Sequence, residues 1–538
     1  LVASLALVGC PTSPPDANEG EGEGDVGEGD VGEGEGEGEG EGEGDVDVDV
    51  DLCVPVGSGV FAVVEGGVID VAVSCAGSVA ADFVVDDPSA LVSGMTFDAD
   101  QHLRMATDLD DAVVADVVVR HVVTGERLTL HIAVADDSHA ADNVPPVDPL
   151  RYSEELGLPV LFLSQVPVAE EYEAVDVVAD GHAYAGVTAK LRGASSLGYP
   201  KKSITLKFDR ADRFSLLPRT TQPSASAFHD KKKVVLVSTF DDTTSVRQRL
   251  AYQLWNRTGA AAGHTHVTIA STSVVVYVDG AYFGLYTMVD HVDRDLFEES
   301  LGLSDGGQLY KSVNHDANFR PKGDLAAGWE RRDEPDVDVV APYSDLNAFM
   351  THVGEADNAA FVAGLADHVD VNDMLDWWIF ATAILGEDSF GKNSYLYRPD
   401  VGQNTASPVF RFAPWDFNHS FGQAWETSPT APDVPVDDGW PMDTNLLWER
   451  VLDDAAAGPA AYDAYADALA TDLAEDVVVG LYDAMVAEVR ASAHKDAVVW
   501  SDDYNGYFGR SVNVDDDSAG VRAWILARWA YLRSAVVR

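Results

Sequence analysis

Between Leu52 and about Asn143, Val and Ala alternate with polar residues in short runs, such as Val68 to Val73, Ala112 to Val119 and Leu128 to Val134. A period of two marks half-buried strands, and turn residues separate the runs at Asp86-Asp87-Pro88 and Thr124-Gly125-Glu126. The pattern predicts an all-β sandwich over 52–145, with no evident chemistry of its own. At Val144-Pro145-Pro146-Val147-Asp148-Pro149 neither a strand ladder nor a helix can continue, which sets a boundary. From 150 to 538 the periods mix. Ser203 to Phe208 alternates, and Val274 to Val289 reads as a hairpin turning at Asp279-Gly280, a type I′ signal. Thr244 to Arg257 reads as a helix with Val246, Leu250 and Leu254 on one face and Gly259 as its stop; a second helix runs from Asp373 to Leu385 and stops at Gly386. From Leu446 onward the period is mostly helical, with Trp448, Trp524 and Trp529 as anchors. An α+β unit with a helical tail is expected.

The first 51 residues are of another kind. Leu1 to Cys10 is apolar, too short to span a bilayer, and ends in Leu7-Val8-Gly9-Cys10. It looks like the end of a bacterial lipoprotein signal, with Cys10 the lipidated residue of an exported, envelope-anchored protein; an ordinary secretory signal before an unrelated cysteine is the other reading. Residues 16–51 hold 17 carboxylates and no Lys or Arg, as Glu-Gly repeats and then an Asp-Val run. With like charges and little to bury, 11–51 is expected to be a disordered acidic linker rather than a cation site. Cys53 and Cys75 are the other two cysteines, and in an exported chain they are most simply a disulfide.

Charge narrows the partners. The 538 residues carry 35 Lys plus Arg against 91 Asp plus Glu, a formal charge of −56. Phosphate backbones need clustered cations, so nucleic acid is not expected, whereas a basic, Ser-containing protein segment would be attracted. A membrane contact, if any, is through the lipid alone.

Against that acidity, the segment Arg192-Gly193-Ala194-Ser195-Ser196-Leu197-Gly198-Tyr199-Pro200-Lys201-Lys202 stands out as a Gly- and Ser-bearing turn flanked by cations. Strand parity extended back from Ser203 puts Lys202 on the inward face with Ile204, Leu206 and Phe208, and Lys207 outward. An inward ammonium needs an anion, either a nucleotide phosphate or an internal carboxylate. After the helix ending at Leu385, Asp388 is followed five residues later by Asn393, the spacing of a loop in which an Asp accepts a hydroxyl proton and an Asn holds a metal ion. Such a pair is common by chance. A hairpin, Ser394 to Arg398 and Val409 to Ala413, then delivers Asp416 within Pro414-Trp415-Asp416-Phe417-Asn418-His419, where a carboxylate could hold the metal between phosphates.

Together these segments resemble the CotH kinase family, atypical protein kinases named for a spore-coat protein. The resemblance rests on RGASSLGYPKKSITLKF (192–208), DDTTSVRQRLAYQLW (241–255), VYVDGAYFGLYTMVDHVD (276–293), LYKS (309–312), EDSFGKNSYLY (387–397) and FAPWDFNHSFG (412–422), over about 150–538. It implies a protein-kinase-like fold and ATP-dependent phosphoryl transfer to protein Ser or Thr with Mg²⁺ or Mn²⁺. Asp388 matches the catalytic Asp, Asn393 and Asp416 the metal ligands, Arg192 and Lys202 the basic positions near the phosphates, and Lys311 the Lys of the short LYK motif. The chain departs from the family where Asn418 replaces a frequent acidic residue and Asp290 a frequent Glu.

Two other chemistries are weaker. His264 and His266 lack the spacing of a zinc site, and Gly193-Ala194-Ser195 lacks the second glycine of a serine-hydrolase elbow, Leu197 standing there. The rival in another class is a non-catalytic surface protein that uses the kinase-like unit as a scaffold and the sandwich for binding.

Overall fold

The computed structural model describes residues 55–56, 59–64, 68–75, 82–92, 94–106, 113–135, 148–219, 222–303, 306–332, 342–387, 391–400, 408–437 and 445–536. The signal and linker readings, Cys10, Cys53 and Asp388 lie outside the described residues. Cys75 ends a short strand opposite Pro55.

The alternating N-terminal runs form two sheets. One orders Gly59–Val64, Arg127–Ala135, Val113–His121 and Phe83–Val85, and the other Val68–Ala72, His102–Ala106 and Thr96–Phe97. Their inward positions (Ile69, Leu103 and Met105 from one, Val117, Leu130 and Ile132 from the other) close over a core of their own within the compact unit 51–538. Each such side chain contributes about 1.5–3 kcal/mol by leaving water.

The central element is a ten-stranded, mostly antiparallel sheet. Its order runs Glu173–Ala174, Thr188–Arg192, Ser203–Lys207, Lys233–Val237, Ala281–Asp290, Ser271–Val278, Leu158–Leu163, Val177–Ala179, His182–Tyr184, with Glu154–Glu155 beside Leu158–Leu163. The Asp279-Gly280 turn has φ of 50° and 78°, the two positive values a type I′ hairpin requires. Ile204, Leu206, Val234, Leu236, Tyr286 and Met288 pack one face against Phe208, Phe214, Leu216 and Phe228 of the following loop. The other face meets the helices and a second sheet, ordered Trp329–Arg332, Gly307–Ser312, Ser394–Pro399 and Arg411–Pro414. Val235 and Val289 of the large sheet share a core there with Leu309, Tyr395, Tyr397, Ala413 and Trp415 of the small one.

The helices are α1 (Arg247–Trp255), α2 (Arg294–Leu301), α3 (Ser344–Glu355), α4 (Asn358–Gly364), α5 (Val371–Ile384) and the C-terminal α6 (Leu446–Asp453), α7 (Ala457–Ala470), α8 (Glu475–Val499), α9 (Ser501–Phe508) and α10 (Val514–Val536). The chain is thus α+β with a helical C-terminal part. Among the described residues no helix is long and apolar enough to cross a membrane.

Two predicted boundaries move for local reasons. α1 starts at Arg247 rather than Thr244, because the Asp242 carboxylate accepts from Thr244 N (3.0 Å) and Arg247 N (2.9 Å) and closes 242–246 into a turn. α5 ends on Leu385, held left-handed at φ 54°, rather than on Gly386. A buried leucine there costs on the order of 1 kcal/mol, and Arg528 of α10 offsets it. Its fully buried guanidinium donates to Thr382 O (2.6 Å) and Ala383 O (3.3 Å) at the helix end, and to Pro432 O and Val434 O.

Candidate functional site

α5 and the small sheet deliver two loops to the seam between the sheets. One leaves α5 through Glu387 and returns at Asn393; the other follows the strand Arg411–Pro414 and carries Asp416. Asn393 and Asp416 both sit in the left-handed region, at φ 58° and 62°, where small polar side chains are tolerated best. Asn393 Nδ2 donates to Asp416 O at 3.2 Å, and Asp416 N donates to the Tyr252 hydroxyl at 3.3 Å, so the sequence-predicted pair is brought together. Asp416 is exposed between buried Trp415 and Phe417.

The large sheet presents cations to this seam, and register shows how. Lys190 pairs with Thr205, and Lys207 pairs with Lys233. Partners across antiparallel strands share a face, as do residues two apart, so Lys190, Arg192, Lys207 and Lys233 lie on one face with Val235. Arg192 stacks on Trp415 at 4.2 Å, beside Asp416. Lys190 and Lys207 both reach the ring of Tyr172, at 5.0 and 5.5 Å. Lys233 is nearly buried, 4.0 Å from Asp293, which also meets His291 at 3.2 Å and caps α2 by accepting from Leu296 N.

Electrostatics confirm that these groups share one neighbourhood. Burial lowers the His291 pKa, and the charges of Lys233 and Arg192 push it further down against the pull of Asp293. Burial works to raise Asp293, but His291 and Lys233 hold its carboxyl below the ordinary value. The Tyr252 hydroxyl is pushed up mainly by burial, and it feels both the Asp416 carboxylate and Arg192.

The remaining predicted positions fall differently. Lys202 is not inward: it is half-buried and its ammonium donates to Leu197 O, within its own loop, at 2.5 Å. Lys201 takes the buried position instead, 2.8 Å from Asp496 of α8, so the anion is an internal carboxylate. Parity fails because the strand begins only at Ser203, after a bend over 199–201. Lys207 is half-buried on Tyr172 rather than pointing outward. Lys311 lies in the small sheet opposite Tyr395, whose ring touches Trp415, so it belongs to the same seam. Asp290 pairs with Lys231 at 2.8 Å.

Lys190, Lys207 and Lys233 are the site residues that sequence reasoning missed. The signal was partial: Lys190 and Arg192 are two apart in a strand, and Lys231-Lys232-Lys233 opens another. Their common face depends on the register of three strands.

A metal ion fits the loop pair by donor chemistry. With Asn393 Nδ2 committed to Asp416 O, the amide oxygen and the Asp416 carboxylate are the hard oxygen donors that Mg²⁺ or Mn²⁺ prefers. Among the described residues no group of three or more His, Cys, Asp or Glu is arranged to hold a metal by itself. The histidines make hydrogen bonds instead: His264 to Asp376 (2.8 Å) and His266 to Thr258 O (2.6 Å).

Compared with known proteins, residues 189–532 match the family model described as CotH kinase protein. No curated protein matches the chain.

Proposed function

The chain belongs to the CotH kinase protein family, and from that premise we propose that it transfers the γ-phosphoryl group of ATP to Ser or Thr hydroxyls of a protein acceptor. One observation carries the reading: a cationic sheet face, in a chain of charge −56, opposes a loop pair that offers oxygen donors for a divalent cation. A triphosphate needs both.

In this reading Arg192 and Lys233 contact phosphate oxygens, with Lys190 and Lys207 supplying field behind them. Asn393 and Asp416 hold Mg²⁺ or Mn²⁺, which when bound neutralises charge on the phosphates. Lys311 adds charge from the small sheet, while Lys202 fastens its own loop. Asp388 accepts the hydroxyl proton as the new O–P bond forms, and the bond to the β–γ bridging oxygen breaks to release ADP. The hairpin that joins Asn393 to Asp416 supports a protein-kinase-like arrangement of these loops.

The acceptor is read as a basic, Ser-containing segment of an envelope protein, met where Cys10 anchors the chain. A Lys/Arg-rich Ser peptide phosphorylated no faster than an acidic one at low salt would sink that preference.

The test incubates the full chain with labelled ATP and either metal, beside Asp416→Ala and Asp388→Ala. Label on the protein or acceptor that falls by about 10²-fold or more in both variants supports the reading. Absence of label, with no metal-dependent stabilisation by ATP against heat, overturns it.

A further inference from the structure

The loop that follows Arg192 and the loop that follows Asp416 come from distant parts of the chain, and one carboxylate touches both. Asp241 lies in the bend after the strand Lys233–Val237 and is 4% exposed. Its Oδ2 accepts from the Tyr199 hydroxyl (3.2 Å), from Asn418 Nδ2 (2.7 Å) and from His419 Nε2 (3.1 Å). Its carbonyl accepts from Gln423 Nε2 at 2.8 Å. Tyr199 belongs to the loop that carries Arg192, seven residues before it, whereas Asn418, His419 and Gln423 belong to the Asp416 loop.

The bend is itself fixed. Thr239 sits at φ 49°, a strained value for a β-branched residue, and Phe240 stacks on Tyr504 of α9 at 4.9 Å. Tyr199 meets Phe240 at 5.3 Å and shares a hydrogen bond with the Tyr507 hydroxyl at 3.1 Å. Three donors converge on one buried oxygen, and a carboxylate within the cluster holds them more firmly than neutral groups alone would, since charge-assisted bonds are about twice as strong as neutral ones.

We propose that Asp241 is the positioning residue that sets the spacing between the Arg192 loop and the Asp416 loop, and through it the distance between the phosphate-binding cations and the metal-binding carboxylate. The proposal rests on the phosphotransferase reading for its purpose, though not for its geometry. Asp241 touches no reacting atom; it acts through Tyr199, Asn418 and His419.

Hydrogen exchange on the full chain separates the two. In Asp241→Ala, exchange should quicken at least tenfold in peptides covering both 194–200 and 417–423, with α5 unchanged. Affinity for ATP with Mg²⁺ should fall at least tenfold. The exchanged pair Asp241→Asn/Asn418→Asp keeps one carboxylate and one amide in contact and should return both readings to within threefold of wild type. Loosening of one segment only, of neither, or a folded exchanged pair that restores nothing would overturn the proposal. If Asp241→Ala does not fold, the exchanged pair decides by the same two readings. A wild-type chain that binds no nucleotide would refute the functional reading, while the exchange rates still decide the role of Asp241.

Discussion

Replacing Lys201 with methionine isolates the tie between the glycine-bearing loop and the C-terminal helices. The ammonium is fully buried, and burial drives its pKa down against the pull of Asp496. It is held by both Asp496 oxygens (2.8 and 2.9 Å) and Leu285 O (2.7 Å), over the ring of Tyr286. Asp496 also accepts from Leu285 N (2.7 Å) and the Tyr504 hydroxyl (2.6 Å). Lys201→Met leaves a buried carboxylate with neutral donors only and Leu285 O without its donor, so the loss should be about 3–5 kcal/mol. Neutralising the survivor removes most of that penalty. In Lys201→Met/Asp496→Asn the amide oxygen still accepts from Leu285 N, and the amide NH2, in the place of the other oxygen, donates to the Tyr504 hydroxyl, leaving about 1–2 kcal/mol for the carbonyl. Urea denaturation at constant slope measures both. A single variant that loses less than about 1 kcal/mol, or a double variant that loses as much as the single, would refute the reasoning.

Three further outcomes are expected. Lys233→Met should weaken ATP binding about tenfold or more, the worth of one charge-assisted contact, whereas Lys202→Met should stay within about twofold by calorimetry. Asp515, bridging Arg490 and His494 at the start of α10, has its carboxyl lowered to about 2, first by the hydrogen bond from Arg490. A lowered folded pKa means the unfolded chain binds the proton first, so this stability is present above the unfolded value of 3.8 and lost as pH falls through about 2. The gap between wild type and Asp515→Asn in unfolding free energy should therefore be level near neutrality and close across that window. Arg528→Met removes the donors from four carbonyls and should cost about 3 kcal/mol or more, with Arg528→Lys recovering only part because one ammonium cannot fork; thermal unfolding ranks the three.

What could be read in the chain was local. The hairpin at Asp279-Gly280 is announced by two residues that tolerate positive φ, and α5 by the stop at Gly386, whereas its cap Asp370, three residues ahead of the expected start, went unread. The motifs that carry Arg192, Asn393 and Asp416 could be picked out because they lie next to elements with clear periods. Lys202 was misread because strand parity was carried back past Ser203, where the strand begins, and burial of its neighbour Lys201 is decided by Asp496, 295 residues away. Lys233 was hidden because its face is set by register with Lys207 in the neighbouring strand. Asp241 opens the segment 241–255 that supports the family resemblance, but its role was hidden because its three partners come from loops that meet only in the fold.

Helix α8 inserts Glu488, Lys495 and Asp496 beside Arg249 of α1, Glu155 of the large sheet and Lys201 of the glycine-bearing loop. During synthesis, therefore, the ribosome has made the whole central sheet before any of these charges meets its counterion. Strands rich in Val and Leu would wait with uncompensated buried ions at their edges, which keeps the nascent sheet from closing early. These ion pairs close only when about the last eighth of the polypeptide emerges. A chain ended by a stop codon before Glu475 would keep these ions without their partners and should be a sticky, protease-sensitive fragment, not a smaller working protein.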